Sequence, residues 1–304
     1  MGRILSGMQA SGNLTLGNYL GALKPWVKMQ HEHETFFCVV DSHAITVPQD
    51  PKALYHNSLE AIAAYIAAGI DYKESAVFLQ SHVKEHAELG WIMQCYTPIG
   101  WLKRMTQFKD KAGKNQDSVP TGLFTYPVLM AADIFLYDTT HVPVGDDQKQ
   151  HVELARDIAI SFNQRYGTEC FVVPEPSIPP HGARVKSLRD GTKKMSKSDP
   201  SDMSRINLID DADTIRDKMK KARTDTGVMP SVGEDLKERP EVQNLIEIYA
   251  SLTGKTMQDV ITQYEGKQFA PFKTDLGELI VEQVIPIGTR MKELLNDKAE
   301  LDKI

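Results

Sequence analysis

The chain has 304 residues, enough for a main domain of roughly 200 residues plus a smaller one, each able to bury a core. Hydrophobic residues make up 41% and charged residues 25%, a balance that excludes disordered and fibrous classes, and no apolar run approaches the length of a membrane span. Net charge is −6 with a pI near 5.9, so there is no basic whole-molecule field and any RNA contact must use a local patch.

Arg3 to Met8 reads as a first strand; Ser6-Gly7 interrupts it too early for a signal-peptide core, which points to a cytoplasmic address. Gln9-Ala10-Ser11-Gly12-Asn13 is a turn cluster. A helix begins near Gly17, with Leu20, Leu23 and Val27 at helical spacing; Pro25 removes a backbone donor and presses on the carbonyl of Gly21, so a kink is predicted. Thr35 to Val40 is an unbroken apolar run of the kind buried on both faces in a parallel sheet. Asp50-Pro51 supplies a cap and a first-position proline for a helix that Gly69 closes, and the strand Ala76-Val77-Phe78-Leu79 follows. Further on come a strand ending at Val142-Pro143-Val144, a helix from about Asp146 to Tyr166 closed by Gly167, and the apolar piece Cys170-Phe171-Val172-Val173.

This alternation predicts an α/β class: a Rossmann-like, doubly wound parallel sheet with helices on both faces. After Lys197-Ser198-Asp199-Pro200 only helices are predicted: Asp211 to Ala222, Val242 to Leu252, Met257 to Tyr264, and Leu276 onward with a break at Pro286. The chain divides accordingly into residues 1–198 and a smaller all-helical C-terminal unit, 199–304. Cys38, Cys95 and Cys170 form no close pair, which excludes a disulfide framework and a Cys-x-x-Cys site, and they read as buried thiols.

Gly12 to Asn18 lies where a strand hands over to a helix. Unpaired N–H groups and the positive end of the helix dipole favour anions there, and Thr15 and Asn18 add two neutral donors beside Gly17. The alternative is an ordinary capped turn. Gly191 to Ser198 combines small, polar and cationic residues, so Lys194 and Lys197 could fold over a polyanion or belong to a solvated loop. If Tyr126 to Tyr137 is a helix, Tyr126, Met130, Asp133 and Tyr137 share one face, and a carboxylate on that apolar stripe needs a donor. A ligand or a neighbouring backbone or arginine group would serve. Gly145-Asp146-Asp147-Gln148 opens a helix at the carboxyl edge of the sheet, a nucleotide position or simply an acidic helix N-terminus. His82 and His86 are four apart without a third ligand, so they read as solvated and no metal site is assigned. Arg216, Lys218, Lys220, Lys221 and Arg223 track an RNA backbone or form an exposed helix face.

Lys194-Met195-Ser196-Lys197-Ser198 matches the complete lysine loop of the class I aminoacyl-tRNA synthetases. Thr15-Leu16-Gly17-Asn18 resembles a variant of their His-x-Gly-His element, with Thr15 and Asn18 replacing both histidines. Gln9-Ala10-Ser11-Gly12, Met105 to Lys109, Leu129 to Ile134 and Gly145 to His151 resemble the tryptophan-specific branch in its bacterial form, and the similarity covers nearly the whole chain. The chain stops at Leu301-Asp302-Lys303-Ile304, where the family usually continues with another helical stretch.

The resemblance implies activation of L-tryptophan by ATP, with Mg2+, to an adenylate and pyrophosphate, then transfer to the 3′-terminal ribose of tRNA(Trp). It also implies a homodimer and an anticodon-binding role for 199–304. Thr15 and Asn18 would hold phosphate oxygens, while Lys194, Lys197 and Lys111 stabilise the leaving pyrophosphate. ATP would lie against Gln9, Ala10, Ser11, Gly17, Asn18, Gly145, Asp146, Asp147 (ribose), Val185 (adenine), Lys194, Met195, Ser196, Lys197 and Ser198. Tryptophan would be held by Tyr126 and Gln148 at its ammonium, by Met130, and by Asp133 accepting from the indole N–H. Asp133→Ala is expected to lose tryptophan discrimination while folding normally. Because ATP would touch both the N-terminal turn and the lysine loop, closure between the two units is expected. The rival readings are tyrosine as substrate, a synthetase-derived nucleotide- or RNA-binding regulator without catalysis, and a small-molecule nucleotidyltransferase.

Overall fold

The apolar run near residue 35 forms a central strand whose alternation fills two cores: Phe37 and Val39 point into one, Cys38 into the other. The structure is a computed structural model and describes residues 2–106, 119–145, 148–177 and 184–304. Its sheet has five parallel strands, β1 (Arg3–Met8), β2 (Glu34–Val39), β3 (Ala76–Leu79), β4 (His141–Pro143) and β5 (Glu175–Ser177), in the order β3-β2-β1-β4-β5. The chain winds outward from β1 to β3 and then resumes on the other side of β1 at β4. The strand order therefore reverses between β1 and β4, and the crevice beyond their carboxyl ends is where such sheets bind ligands.

One face carries α1 (Leu16–Asn18), α2 (Lys24–Met29) and α4 (Pro51–Ala67). On the other lie α5 (Glu85–Tyr96), α6 (Ile99–Leu102), α7 (Thr121–Phe135) and α8 (Lys149–Tyr166); α3 (Asp41–Ala44) is a single turn leaving β2. Asp50 caps α4 by accepting from Ala53 N–H at 2.8 Å, and Gly167 ends α8 in the left-handed region at φ 60°. Between α1 and α2 the backbone widens into a π turn, Tyr19–Leu23, so the chain accommodates Pro25 through a changed hydrogen-bond step.

The C-terminal part is helical: α9 (Ala212–Lys221), α10 (Pro240–Thr253), α11 (Met257–Tyr264) and α12 (Phe269–Asn296). Ile215, Leu245, Val260, Phe272 and Ile280 from these helices join the same core as Leu20, Trp26, Phe37 and Tyr65. Residues on both sides of position 198 therefore share one hydrophobic interior.

Three expectations are corrected. The break at Pro286 does not occur, because the proline sits on the exposed side of α12, where water can satisfy the Glu282 carbonyl it releases; Val284, Ile287 and Met291 stay buried along the other side. Cys170 to Val173 is not a strand; Phe171 stacks on Phe135 with centroids 4.7 Å apart, and the edge strand forms afterwards, at Glu175. Only Cys38 is a buried thiol, while Cys95 and Cys170 are exposed.

Candidate active site

The turn after β1 is shaped by two residues at positive φ, Gly12 at 62° and Asn13 at 46°. A side chain at Gly12 would collide with the Asn57 carboxamide on α4, whose Oδ1 lies 2.5 Å from where a Cβ would sit. Past the turn, Thr15 is buried, and its amide and hydroxyl both donate to Asn18 Oδ1, at 2.9 and 3.0 Å. The expectation of two equivalent donors is thereby refined. The Thr15 hydroxyl is used to orient Asn18, which leaves the Asn18 amide nitrogen as the side-chain donor for a ligand.

Residues distant in sequence close this turn from the far side. Leu16 N–H donates to Ile206 O and Leu208 N–H to Leu14 O, both at 2.8 Å, so a segment of the helical part runs antiparallel to residues 14–16. Val185 and Met195, both buried, approach Gly17, where a Cβ would lie 3.6 and 3.7 Å from theirs. The lysine loop stands on a two-residue ladder, Lys186 opposite Lys194, fixed by Ser187 N–H to Lys193 O (2.8 Å) and Met195 N–H to Val185 O (3.0 Å). Gly191 fits directly against the Pro240 carbonyl and Glu241 amide, where any side chain would clash. Lys197 reaches across to the N-terminal turn and donates to the carbonyls of Ser11 (2.6 Å) and Gly12 (3.4 Å). Burial lowers the pKa of this ammonium and the Glu60 carboxylate pulls it part of the way back. Ser196 and Ser198 share a 2.8 Å hydrogen bond, and Lys194 is exposed on the loop.

The second cluster lies across the sheet. Asp133, buried on α7, accepts from His43 Nε2 at Oδ2 (2.7 Å) and from His86 Nδ1 (2.6 Å) and Gln80 Nε2 (2.8 Å) at Oδ1. The other ring nitrogen of His86, Nε2, shares a 2.8 Å hydrogen bond with the Tyr137 hydroxyl. Burial alone would raise the Asp133 carboxyl pKa, but the hydrogen bonds and charge of His43 and His86 outweigh it, so the group is held below its ordinary value. A carboxylate offers about four lone-pair positions, and three are used here. Tyr126, one turn before Met130 on α7, shares a 2.8 Å hydrogen bond with His151, and burial pushes its phenol up to about 12. Gln148 stands at the N-cap position of α8, its backbone N–H donating to the Gly145 carbonyl at 2.9 Å. Met130 is half-buried beside this cluster.

The structure therefore brings Ser11, Gly17, Asn18, Val185, Met195 and Lys197 together at one end of the sheet, with Gln9 and buried Ala10 in the same turn. Lys111, Asp146 and Asp147 lie outside the described residues. His86 is not solvated as its spacing with His82 suggests; it is enclosed between Asp133 and Tyr137, while His82 is exposed. The basic run is largely paired within the protein: Lys218 is buried between Asp202 and Asp210, Arg216 meets Glu278 and Lys221 meets Asp217. Asp133→Ala would strand three buried partners, so normal folding is no longer expected of it. His43, Gln80 and Asn244 gave no sequence signal of their own. His43 follows Asp41-Ser42 directly after β2, and a polar group at a strand's carboxyl end is the cue that could have found it.

The sequence model of the class I tRNA synthetases (W and Y) matches residues 2–282. The tryptophan–tRNA ligase of Caulobacter vibrioides is 56% identical over 303 residues, covering 99% of this chain and 88% of its own, and that of Rickettsia conorii is 54% identical, covering 99% and 91%. Among solved structures, the tryptophanyl-tRNA synthetase of Mycoplasma pneumoniae superposes with a TM-score of 0.86 at 33% identity, covering 99% of this chain and 92% of that one. The Campylobacter jejuni enzyme complexed with ADP and tryptophan gives 0.79 at 37% identity with the same coverage. A phosphate-type turn and a lysine loop meeting at the switch point, together with these matches along nearly the full length, show that the chain belongs to the class I tRNA synthetases of the tryptophan and tyrosine family.

Proposed function

We infer that the chain activates L-tryptophan with ATP, forming tryptophanyl-adenylate and pyrophosphate, and then transfers tryptophan to the 3′-terminal ribose of its tRNA. The observation that carries this reading is the seating of Lys197 on the Ser11 and Gly12 carbonyls, which joins the two ATP-handling segments into one site. In the first step the tryptophan carboxylate attacks the α-phosphorus and pyrophosphate leaves. The protein's contribution is alignment and charge stabilisation. The Asn18 amide, held by Thr15, donates to a phosphate oxygen, and Lys194 and Lys197 meet the charge growing on pyrophosphate, with Lys111 as a third cation. Gln9, Ala10, Ser11, Gly17, Gly145, Val185, Met195, Ser196 and Ser198 form the nucleotide's walls, with Asp146 and Asp147 beside them.

Asp133 accepts the indole N–H at its remaining lone-pair position, Tyr126 and Gln148 take the ammonium, and Met130 packs on the ring. Tyrosine is rejected because its side chain leaves a buried acceptor without that donor. Mg2+ accompanies the ATP phosphates and neutralises part of their charge.

Residues 1–198 serve as the catalytic unit and 199–304 meet the tRNA. No helix among the described residues is long and apolar enough to cross a membrane. Ile45 lines a cavity of about 360 Å3 beside Tyr126 together with Ala87, Gly90 and Gln94 of α5, the helix that also carries exposed Trp91 and Ile92, and a second copy of the chain covers this face. Sedimentation at dimer mass, reduced to monomer by Trp91→Glu, checks that assembly. ATP binding closes the helical unit over the catalytic unit, with Lys197 passing from the Ser11 and Gly12 carbonyls to the phosphates; hydrogen exchange at Met195 to Ser198 slows with ATP, and equal exchange with and without it contradicts closure.

The reaction itself is tested by amino-acid-dependent exchange of labelled pyrophosphate into ATP with tryptophan, tyrosine and phenylalanine. Exchange with tryptophan alone is expected. Exchange with tyrosine would overturn the pocket, and no exchange from folded protein would overturn catalysis.

A further inference from the structure

Glu60 lies in the middle of α4, 7% exposed, among Ala61, Ala63 and Ala64 on a helix that otherwise buries small and apolar residues. Its Oε1 is fully enclosed and meets no hydrogen-bond donor, and no cation forms an ion pair with it among the described residues. A buried carboxylate left in this condition costs free energy, so its presence calls for a compensating role. One turn earlier on the same helix, Asn57 presses against Gly12, which places this stretch of α4 beneath the N-terminal turn. Lys197 meets the same turn, its ammonium on the Ser11 and Gly12 carbonyls. The turn from Met8 to Asn18 contains no titratable side chain, and the lysine's own loop contributes Lys193, Lys194 and Asp199. Glu60 is the acidic group acting on Lys197 from α4.

We propose that Glu60 is a positioning residue for the lysine loop, a buried counter-ion that draws the Lys197 ammonium onto the Ser11–Gly12 carbonyls and keeps it there, charged, until a polyphosphate takes it over. The carbonyls alone supply dipoles, which hold a neutral amine or an ammonium; a carboxylate selects the ammonium. Glu60 touches neither nucleotide nor amino acid and acts through Lys197. The inference rests on the assignment of Lys197 to the ATP phosphates.

The test is competitive labelling of lysines by acetic anhydride across alkaline pH, read peptide by peptide, in wild type, Glu60→Gln and Glu60→Ala. Only neutral amines react, so each lysine's curve reports its own titration. Loss of Glu60 is expected to move the Lys197 curve to lower pH by about one unit, giving about tenfold more neutral amine at a fixed alkaline pH, while the exposed Lys194 keeps its curve as an internal control. The alkaline limb of pyrophosphate exchange moves down with it. Both variants are expected to fold, since Lys197 retains its two carbonyl acceptors. Superimposable Lys197 curves in a variant that melts like wild type overturn the proposal. Failure of both variants to fold also overturns it, by making Glu60 a structural group of the core. A separate arm keeps the underlying assignment distinguishable: MgATP should protect Lys197 from labelling in wild type, and absence of protection removes the phosphate role without bearing on whether Glu60 sets the titration.

Discussion

The Asn244 side chain and the Lys186 backbone grip each other at two points: Lys186 N–H donates to Asn244 Oδ1 at 2.8 Å, and Asn244 Nδ2 donates to the Lys186 carbonyl at 3.0 Å. Asn244 is 1% exposed on α10, so the helical part fixes from behind the ladder on which the lysine loop stands. Asn244→Ala removes both bonds and leaves two backbone groups without their partner, at a cost of about 1–3 kcal/mol. The expected outcome is a lower denaturation midpoint together with a raised ATP KM in pyrophosphate exchange. Unchanged stability would show that the ladder needs no support from α10.

Asp133 is better probed by asparagine than by alanine. Asp133→Asn keeps the shape but replaces an acceptor with an amide donor facing histidine donors, whereas alanine empties the site. Discrimination between tryptophan and tyrosine, measured as a ratio of kcat/KM, is expected to fall at least about tenfold in Asp133→Asn. A folded variant with the wild-type ratio would remove Asp133 from substrate selection.

The same carboxyl predicts a pH dependence with a definite sign. Its folded pKa lies below the ordinary aspartate value, held there by His43 and His86 against the effect of burial. A depressed carboxylate contributes stability that is fully present above the unfolded value of about 3.9 and is lost as pH falls through the lower folded value. The stability difference between wild type and Asp133→Asn, from denaturant melts, should be constant above about pH 5 and narrow below about pH 4. A difference that widens on acidification would contradict the assigned direction.

Lys218 sits 2.6 Å from carboxylate oxygens of both Asp202 and Asp210, with its own side chain 2% exposed. The Asp202 carboxyl is held below its usual range first by the Lys218 hydrogen bond. Lys218→Met fills the same volume without charge and leaves the largely enclosed Asp210 without its cation; breaking a buried pair costs about 3–5 kcal/mol, and the half-exposed Asp202 together with the Asn207 donors to Asp210 keeps the expected loss at the lower end. Because residues 206–208 pair with 14–16, the pyrophosphate-exchange rate should fall along with the melting temperature. A melt like that of wild type would mean that water replaces the cation.

Much of the molecule was legible because its signals are contiguous. The turn at Gly12, the Asp50-Pro51 cap, the run that became β2 and the five residues of the lysine loop each lie within a few positions along the chain. Their meaning depends on neighbours i to i+4, which sequence displays directly. Pro25 and Pro286 mark the limit of such local rules. One was absorbed by a π turn and the other by exposure on α12, and local rules do not say where water will stand.

What the sequence by itself determined was the order of strands and helices, hence a parallel doubly wound sheet, and the two short segments able to handle a polyphosphate. The tertiary structure alone decided which side chains complete those segments. His43, Gln80 and His86 converge on Asp133 from separate elements, Asn244 reaches Lys186 across 58 positions, and Lys197 reaches Ser11 across 186. The physical reason is that a buried polar group must find its partner within hydrogen-bond reach in space, and the nearest donor in space is set by how helices pack on the sheet rather than by distance along the chain.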